Sequence, residues 1–330
     1  MGDHGHFTVT IKPDTARTLW YSFIINGAWG FEAFYGTKTG RTGGVGQEYY
    51  STAPDSFQIT VYEERKVPDW YKNAVVYQIF PDRFFQGRGW VMNAKKALEF
   101  HKNGPRRQLV DWDKPVKYER SHDGRMASWD FYGGNLNGIA EKLDYLAGLG
   151  ITAIYLNPIF EAASNHRYDT GDFLNIDPML GTEKDFRELC AKAEEKGISI
   201  ILDGVFNHTG CDSIYFNKYG NYSSLGAYES PESKYRSWFQ FNDSPSGYSS
   251  WWGVDDLPDI NELDESYRDF IYRGDGSVIR KWLRLGAKGW RLDVADELPD
   301  EFIEELKTQV TEIVHEVMTD TSNRRITVTT

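Results

Sequence analysis

Three times in this chain a helix-period stripe of apolar residues stops at a glycine, and an unbroken apolar run follows at once. Residues 139–149 set Ile139, Leu143, Leu146 and Leu149 on one face; Gly150 then precedes the run Ile151–Leu156. Residues 186–196 lead through Gly197 into Ile198–Leu202, and residues 278–285 lead through Gly286 into 289–294. The 3.6-residue period marks a helix. The glycine supplies a left-handed C-cap. A short run with no polar alternation reads as a strand covered on both faces. A fourth such run, Val75–Phe80, is stopped by Pro81-Asp82. Helices alternating with buried strands demand a parallel sheet with helices outside it. Each run also ends in polar residues: Asn157-Pro158, Asp203-Gly204, and Asp293. Parallel α/β folds carry their sites at that end.

The remainder of the chain follows different rules. Residues 1–66 read as all-β, with strands expected at Phe7–Ile11, Leu19–Ile25 and Phe57–Tyr62 and Gly-rich turns at 40–46. Three or four strands are few for a sandwich, which needs about seven. The segment is then either a small sheet leaning on its neighbour or part of a sandwich. Pro54 and the charged residues 63–66 mark a linker, so domains are expected at 1–66 and 67–330. A polar insertion runs from Gln86 to about Asp130, and an aromatic one occupies about 209–262. After Glu297 comes a helix with Phe302, Ile303, Leu306, Val310, Ile313, Val314 and Val317 along one stripe.

A net charge of −12 without any basic run argues against nucleic acid and anionic membranes. No apolar stretch reaches membrane-spanning length, and the N-terminus has no signal-peptide pattern, so a cytoplasmic protein is expected. Cys190 and Cys211 have no metal spacing, and no Gly-rich phosphate loop is present.

The chemistry gathers in Gly289–Glu297. Arg291 and Asp293 are two apart and share one face of a strand. A neighbouring arginine keeps a carboxylate ionised, and an ionised, positioned carboxylate is a nucleophile. From these residues alone, a structural ion pair explains the pattern equally well.

Six motifs occur in order: Tyr-Gln-Ile-Phe-Pro-Asp-Arg-Phe (77–84), Tyr-Leu-Asn-Pro-Ile-Phe (155–160), His-Arg-Tyr-Asp-Thr (166–170), Asp-Gly-Val-Phe-Asn-His (203–208), Leu-Pro-Asp-Ile-Asn (257–261) and Gly-Trp-Arg-Leu-Asp-Val-Ala-Asp-Glu (289–297). The set resembles the α-amylase family of glycoside hydrolases, family 13. Its Val-Ala-Asp-Glu ending and β-rich start are similar to the neopullulanase, cyclomaltodextrinase and maltogenic amylase branch. The resemblance implies a (β/α)8 TIM-barrel type fold with only about its first four βα units present. A partial all-β domain precedes it, and a protruding B domain is inserted at about 209–262. It implies Asp293 as nucleophile, Arg291 as its partner and Asp203 as support for Arg291. His208 and Tyr168 would meet the sugar, with His166 flanking and Asn207 and Glu297 among the substrate-binding positions. Asp259 and Asn261 match the motif near the end of the B domain. Substrates would be α-glucans, cyclodextrins or maltooligosaccharides, cleaved with retention by a carboxylate pair about 5–5.5 Å apart. No organic cofactor is implied; calcium is an option at Asn207, and a homodimer is another.

The second carboxyl is not evident. The family's acid motif has its only echo at His315–Asn323, which makes Glu316 either the acid or a residue on the solvent side of a helix. The stripe running unbroken through Val317 favours the helix. Asn135 also stands where the family usually has Asp. The expected account is a chain truncated at both ends, poorly soluble and inactive or impaired. A non-catalytic maltooligosaccharide-binding protein and a non-functional remnant are the alternatives.

Overall fold

The computed structural model describes residues 8–319 except 39, 41–42, 51–53, 64–66 and 123, with side chains as far as Ile313. The chain divides into two compact units, Met1–Lys66 and Val67–Thr330.

In the first unit lie strands β1 (Arg17–Tyr21), β2 (Phe23–Asn26), β3 (Glu32–Gly36), β4 (Gln47–Tyr49) and β5 (Phe57–Val61). Strand β1 pairs antiparallel with β5, while β2, β3 and β4 form a separate antiparallel sheet. The strand expected over Leu19–Ile25 therefore breaks at Ser22, and its halves enter different sheets. The break lets one aromatic cluster draw on both. Tyr21, Phe23 and Tyr35 surround Phe57 at ring distances of 5.3, 6.2 and 5.9 Å. The strand expected at the N-terminus is not formed over residues 8–11, where Val9 and Ile11 are exposed. Alternation makes a strand only where a neighbour completes its hydrogen bonds. Residue 7 lies outside the described residues.

The second unit contains α1 (Asp69–Lys72), β6 (Val76–Ile79), α2 (Trp90–Glu99), β7 (Arg106–Leu109), β8 (Ser128–Phe131), α3 (Leu136–Glu141), α4 (Leu143–Gly148) and β9 (Ala153–Leu156). A hairpin of β10 (Phe160–Ala162) and β11 (Thr170–Ile176) follows, then α5 (Glu183–Glu195), β12 (Ser199–Gly204), α6 (Glu265–Arg268), α7 (Val278–Arg284), β13 (Gly289–Leu292) and α8 (Asp300–Thr319). Strands β6, β9, β12 and β13 form one parallel sheet in chain order.

The glycines between helix and strand adopt the geometry that the pattern requires. Gly150, Gly197 and Gly286 have φ of +80°, +70° and +117°, where a Cβ is disfavoured. Helix α5 is opened by a reciprocal cap in which Thr182 and Asp185 each bond the other's backbone N–H. The helix expected over 139–149 is two helices that turn at Lys142. Ile139, Leu143 and Leu146 are buried as expected, but Leu149 is 54% exposed because the chain has already begun its capping turn there. Asn135 serves that region better than an acid would. Its Oδ1 accepts from the backbone of Gly138 at 2.8 Å and of Gly87 at 3.0 Å, while its amide donates to Arg88 O at 3.2 Å.

The central strands are buried, whereas the outer ones are not. The runs at 75–80 and 289–294, expected to be covered on both faces, are half open. Val76 and Tyr77 of β6 are 46% and 38% exposed, and Arg291 of β13 is exposed as well. The inner face of the sheet lines an open, mostly apolar cavity of about 520 Å³, closed in part by Trp70, Leu306 and Val310. The expected polar insertion at 86–130 holds α2 and a parallel pair, β7 with β8. Buried Arg107 fixes that pair, donating to Ala97 O at 3.1 Å and to Asp177 at 2.9 Å. Helix α8 packs Phe302, Leu306, Val310 and Ile313 inward. Its Glu305 binds Arg273 and the Tyr272 hydroxyl, tying it to the segment after α6. Among the described residues, no helix is long and apolar enough to cross a membrane.

Candidate active site

Each strand of the parallel sheet delivers a polar side chain to one end. Gln78 of β6 donates to Asn157, just past β9, at 2.8 Å. Asn157 in turn donates to the Tyr168 hydroxyl at 3.2 Å. Tyr155 of β9 donates to Asp203 of β12, and its oxygen lies 3.3 Å from the Tyr168 hydroxyl. In the ladder Asp203 stands directly beside Arg291 of β13. Arg291 Nη1 bonds Asp203 Oδ1 at 3.0 Å and also bonds Asp293. The Asp293 amide continues the ladder by donating to Gly204 O at 3.0 Å. The next residue, Val294, has φ +43°, a strained conformation for a β-branched side chain. The chain thus turns sharply just after presenting the carboxylate.

Charge in this line is unevenly sheltered. The Asp203 carboxyl is buried, which pushes its pKa above the ordinary value although Tyr155 and Arg291 oppose that push. Burial also works against the charge on Arg291. The bonds and charges of Asp203 and Asp293 together outweigh it, so the guanidinium is held more firmly cationic than usual. The arginine is 42% exposed and Asp293 14% exposed at the side chain, so the expected fully buried pair is in fact open on one side. Arg291 also lines the open cavity inside the sheet.

The hairpin of β10 and β11 brings in His166 and Tyr168. His166 Nδ1 accepts from the Tyr168 amide at 3.2 Å, and burial lowers its pKa. Burial pushes the Tyr168 hydroxyl up to about 12. After β12, His208 Nδ1 donates to the side-chain oxygen of Asn207, which leaves Nε2 as a buried acceptor without a partner. Burial takes His208 down to about 4, so the ring is neutral near pH 7. The Asp259 strand bridges to His208, and the Ile260 amide donates to Asn207 O at 3.0 Å. Asn261 bonds Trp238 O at 2.7 Å through its amide.

The sequence-predicted residues Asp203, Arg291, Asp293 and Tyr168 therefore come together, with His166, His208 and Asn207 on the loops around them. Glu297 stands apart from that line, with both carboxylate oxygens taken by Trp251 and Trp252. Glu316 lies on the backbone of α8, not on a strand, and its side chain is outside the described residues. Two contributors, Gln78 and Tyr155, were not singled out from sequence, whereas Asn157 was marked as a polar strand end. Tyr155 sits inside an apolar run, and only the family motifs at 77–84 and 155–160 signal it and Gln78.

Two observations bear on calcium at Asn207. The Asn207 side-chain oxygen is occupied by its own neighbour, and the described residues contain no group of three His, Cys, Asp or Glu able to hold a metal. A hard cation needs a cage of six or more oxygens.

Comparisons with known proteins identify relatives of the chain. The family profile for the alpha amylase catalytic domain matches residues 78–327. An amylopullulanase from Thermoanaerobacterium saccharolyticum is 40% identical over 91% of this chain and 25% of its own length. Neopullulanase 2 from Thermoactinomyces vulgaris is 32% identical over 92% of this chain and 47% of its own. Among solved structures, the ligand-free cyclic alpha-maltosyl-(1→6)-maltose hydrolase from Arthrobacter globiformis superposes with a TM-score of 0.60 at 32% identity. That match covers 75% of this chain and 50% of the hydrolase. The chain thus spans from 17% to 50% of the length of the relatives it matches.

Proposed function

Because the chain belongs to the alpha-amylase family of glycoside hydrolases, we propose that it binds α-glucan chains and carries the nucleophilic half of a retaining glycosidase. The observation that supports this most is the line Asp203–Arg291–Asp293 at the carboxyl ends of neighbouring parallel strands. Asp293 Oδ attacks the anomeric carbon as the glycosidic bond breaks, and Arg291 keeps that oxygen unprotonated. Asp203, fixed by Tyr155, sets the arginine's position. Tyr168, its hydroxyl held by Asn157, presents its ring to the sugar. Neutral His208 offers its unpaired Nε2 to a sugar hydroxyl.

The four parallel strands are then the first half of a (β/α)8 barrel, with residues 209–262 as its B domain and 1–66 as part of a β-sandwich. The open cavity inside the sheet is where further strands of such a barrel pack. The relatives' names extend over pullulan, cyclodextrin and maltose-forming activities, and α-1,4- or α-1,6-glucosidic links are the substrate class proposed here.

The general acid is not assigned. The backbone of α8 runs through Glu316, which supports a helical residue there rather than an acid at a strand end. An activated glycosyl fluoride tests the reading, because fluoride leaves without an acid. A covalent glycosyl adduct on Asp293 is expected, and none in the Asp293→Asn variant.

A further inference from the structure

A stack of three rings leaves the site in a direction that the chemistry of Asp293 does not use. The His208 imidazole lies on the Trp251 indole at 5.1 Å and 23°, and Trp251 lies on Trp252 at 5.2 Å and 24°. The first ring is buried and the last is 80% exposed. An indole left open to water at the end of a stack is not core packing.

One carboxylate holds both indoles. Trp251 Nε1 donates to Glu297 Oε2 at 2.7 Å, and Trp252 Nε1 donates to Glu297 Oε1 at 3.0 Å. Glu297 lies 45 and 46 residues further along, just past the turn after Asp293. Trp252 is also in the left-handed region, at φ +50° and ψ +26°. That conformation is unfavourable for a tryptophan and persists only where its surroundings impose it. Beside the pair lies a cavity of about 290 Å³ that Asn207, Asp259 and Glu262 also line. Flat apolar rings beside carboxylate and amide acceptors match the two faces of a hexose: a C–H surface and a rim of hydroxyl donors.

We propose that Glu297 is a positioning residue that aligns Trp251 and Trp252 into a platform for a saccharide unit at least two beyond the one on Tyr168. Each Glu297 oxygen already accepts from one indole, so holding the two rings is the role that its hydrogen bonds show. The platform rests on the α-glucan reading of the site and adds to it a preference for longer chains. It also gives the Asp-Glu ending of the nucleophile strand a purpose. The same turn that presents Asp293 sets Glu297, so the chemistry and the platform share one rigid support.

The test titrates the full chain calorimetrically with maltose and with maltopentaose, and repeats this in Glu297→Ala, Trp252→Ala and Trp252→Phe. Wild type is expected to bind maltopentaose more tightly than maltose. Glu297→Ala and Trp252→Ala should each lose about tenfold in maltopentaose affinity, the scale of one lost aromatic contact, with maltose affinity unchanged. Trp252→Phe keeps a ring in place and should recover most of the loss. Tryptophan fluorescence should shift towards the emission of hydrated indole in Glu297→Ala before any sugar is added. Equal losses for both sugars would mean a general structural role and overturn the proposal. So would maltopentaose binding that no variant alters, and the α-glucan reading would then survive alone. Absence of binding by wild type to either sugar would overturn both.

Discussion

Replacing Glu161 by glutamine removes a buried titratable group from the root of the hairpin that carries Tyr168. Glu161 stands directly opposite Asp172 in that hairpin, accepts from the Tyr222 hydroxyl and is 7% exposed. Burial raises its pKa to about 7 from an ordinary 4.5, against the Tyr222 bond and His101, with Asp172 adding to the rise. As the pH climbs, the unfolded chain gives up this proton first. The stability owed to the neutral acid is therefore complete below pH 4.5 and gone once the pH has passed about 7. At ~1.36 kcal/mol per pH unit across that interval, the whole effect is about 3 kcal/mol. Glutamine keeps the shape and an acceptor for Tyr222 but cannot ionise. Urea denaturation of both proteins at pH 4.5, 6 and 8 measures the difference directly. The variant should gain on wild type by about 3 kcal/mol between pH 4.5 and 8, roughly 2 of it before pH 6.5. A difference between the two that stays constant with pH would refute the reasoning, because Glu161 would then be ionised in the fold throughout.

His208 should show the opposite sign. Its folded pKa of about 4 lies below the ordinary 6.5, so its contribution is present above pH 6.5 and declines by about 2 kcal/mol by pH 5 and about 3 by pH 4. The difference in stability between wild type and His208→Gln across that range should follow this slope, since the Glu161 contribution is common to both. The helix caps make a paired prediction. Gly286→Ala adds a Cβ 2.7 Å from Cys190 Cβ at φ +117°, whereas Gly197→Ala at φ +70° meets nothing within 4 Å. Thermal denaturation should show Gly197→Ala losing about 1 kcal/mol from backbone strain alone and Gly286→Ala losing at least about 2.

What the sequence disclosed depended on how local the cause was. The helix–glycine–strand units could be read because each is written in about fifteen consecutive residues, and Gly150, Gly197 and Gly286 all take positive φ. The line from Asp203 to Asp293 was legible for a related reason, since strand ends in a parallel sheet gather at one edge. Exposure was not legible. Val75 and Val76 look like core in sequence, yet both are exposed, and Val76 faces an open cavity whose existence depends on distant elements. Strands β3 and β4 were missed because Gly27-Ala28-Trp29-Gly30 and the glycines after Gly36 obscure the alternation. Ser22 carries no signal that its two neighbours join different sheets. The same limit applies to Glu297. Its clamp on two indoles depends on a contact across 45 residues, and a glutamate at a strand-to-helix turn otherwise reads as solvated or substrate-facing.

Treating the 330-residue chain with an α-maltosyl fluoride, and mapping any adduct by peptide mass spectrometry, tests the central claim most directly. Asp293 Oδ forms a bond to the anomeric carbon while the carbon–fluorine bond breaks, so no general acid is needed. The account predicts a maltosyl mass on the peptide containing Asp293, absent from Asp293→Asn. A chain that binds maltooligosaccharide yet takes no label there, or takes it on another carboxylate, would contradict Asp293 as the nucleophile.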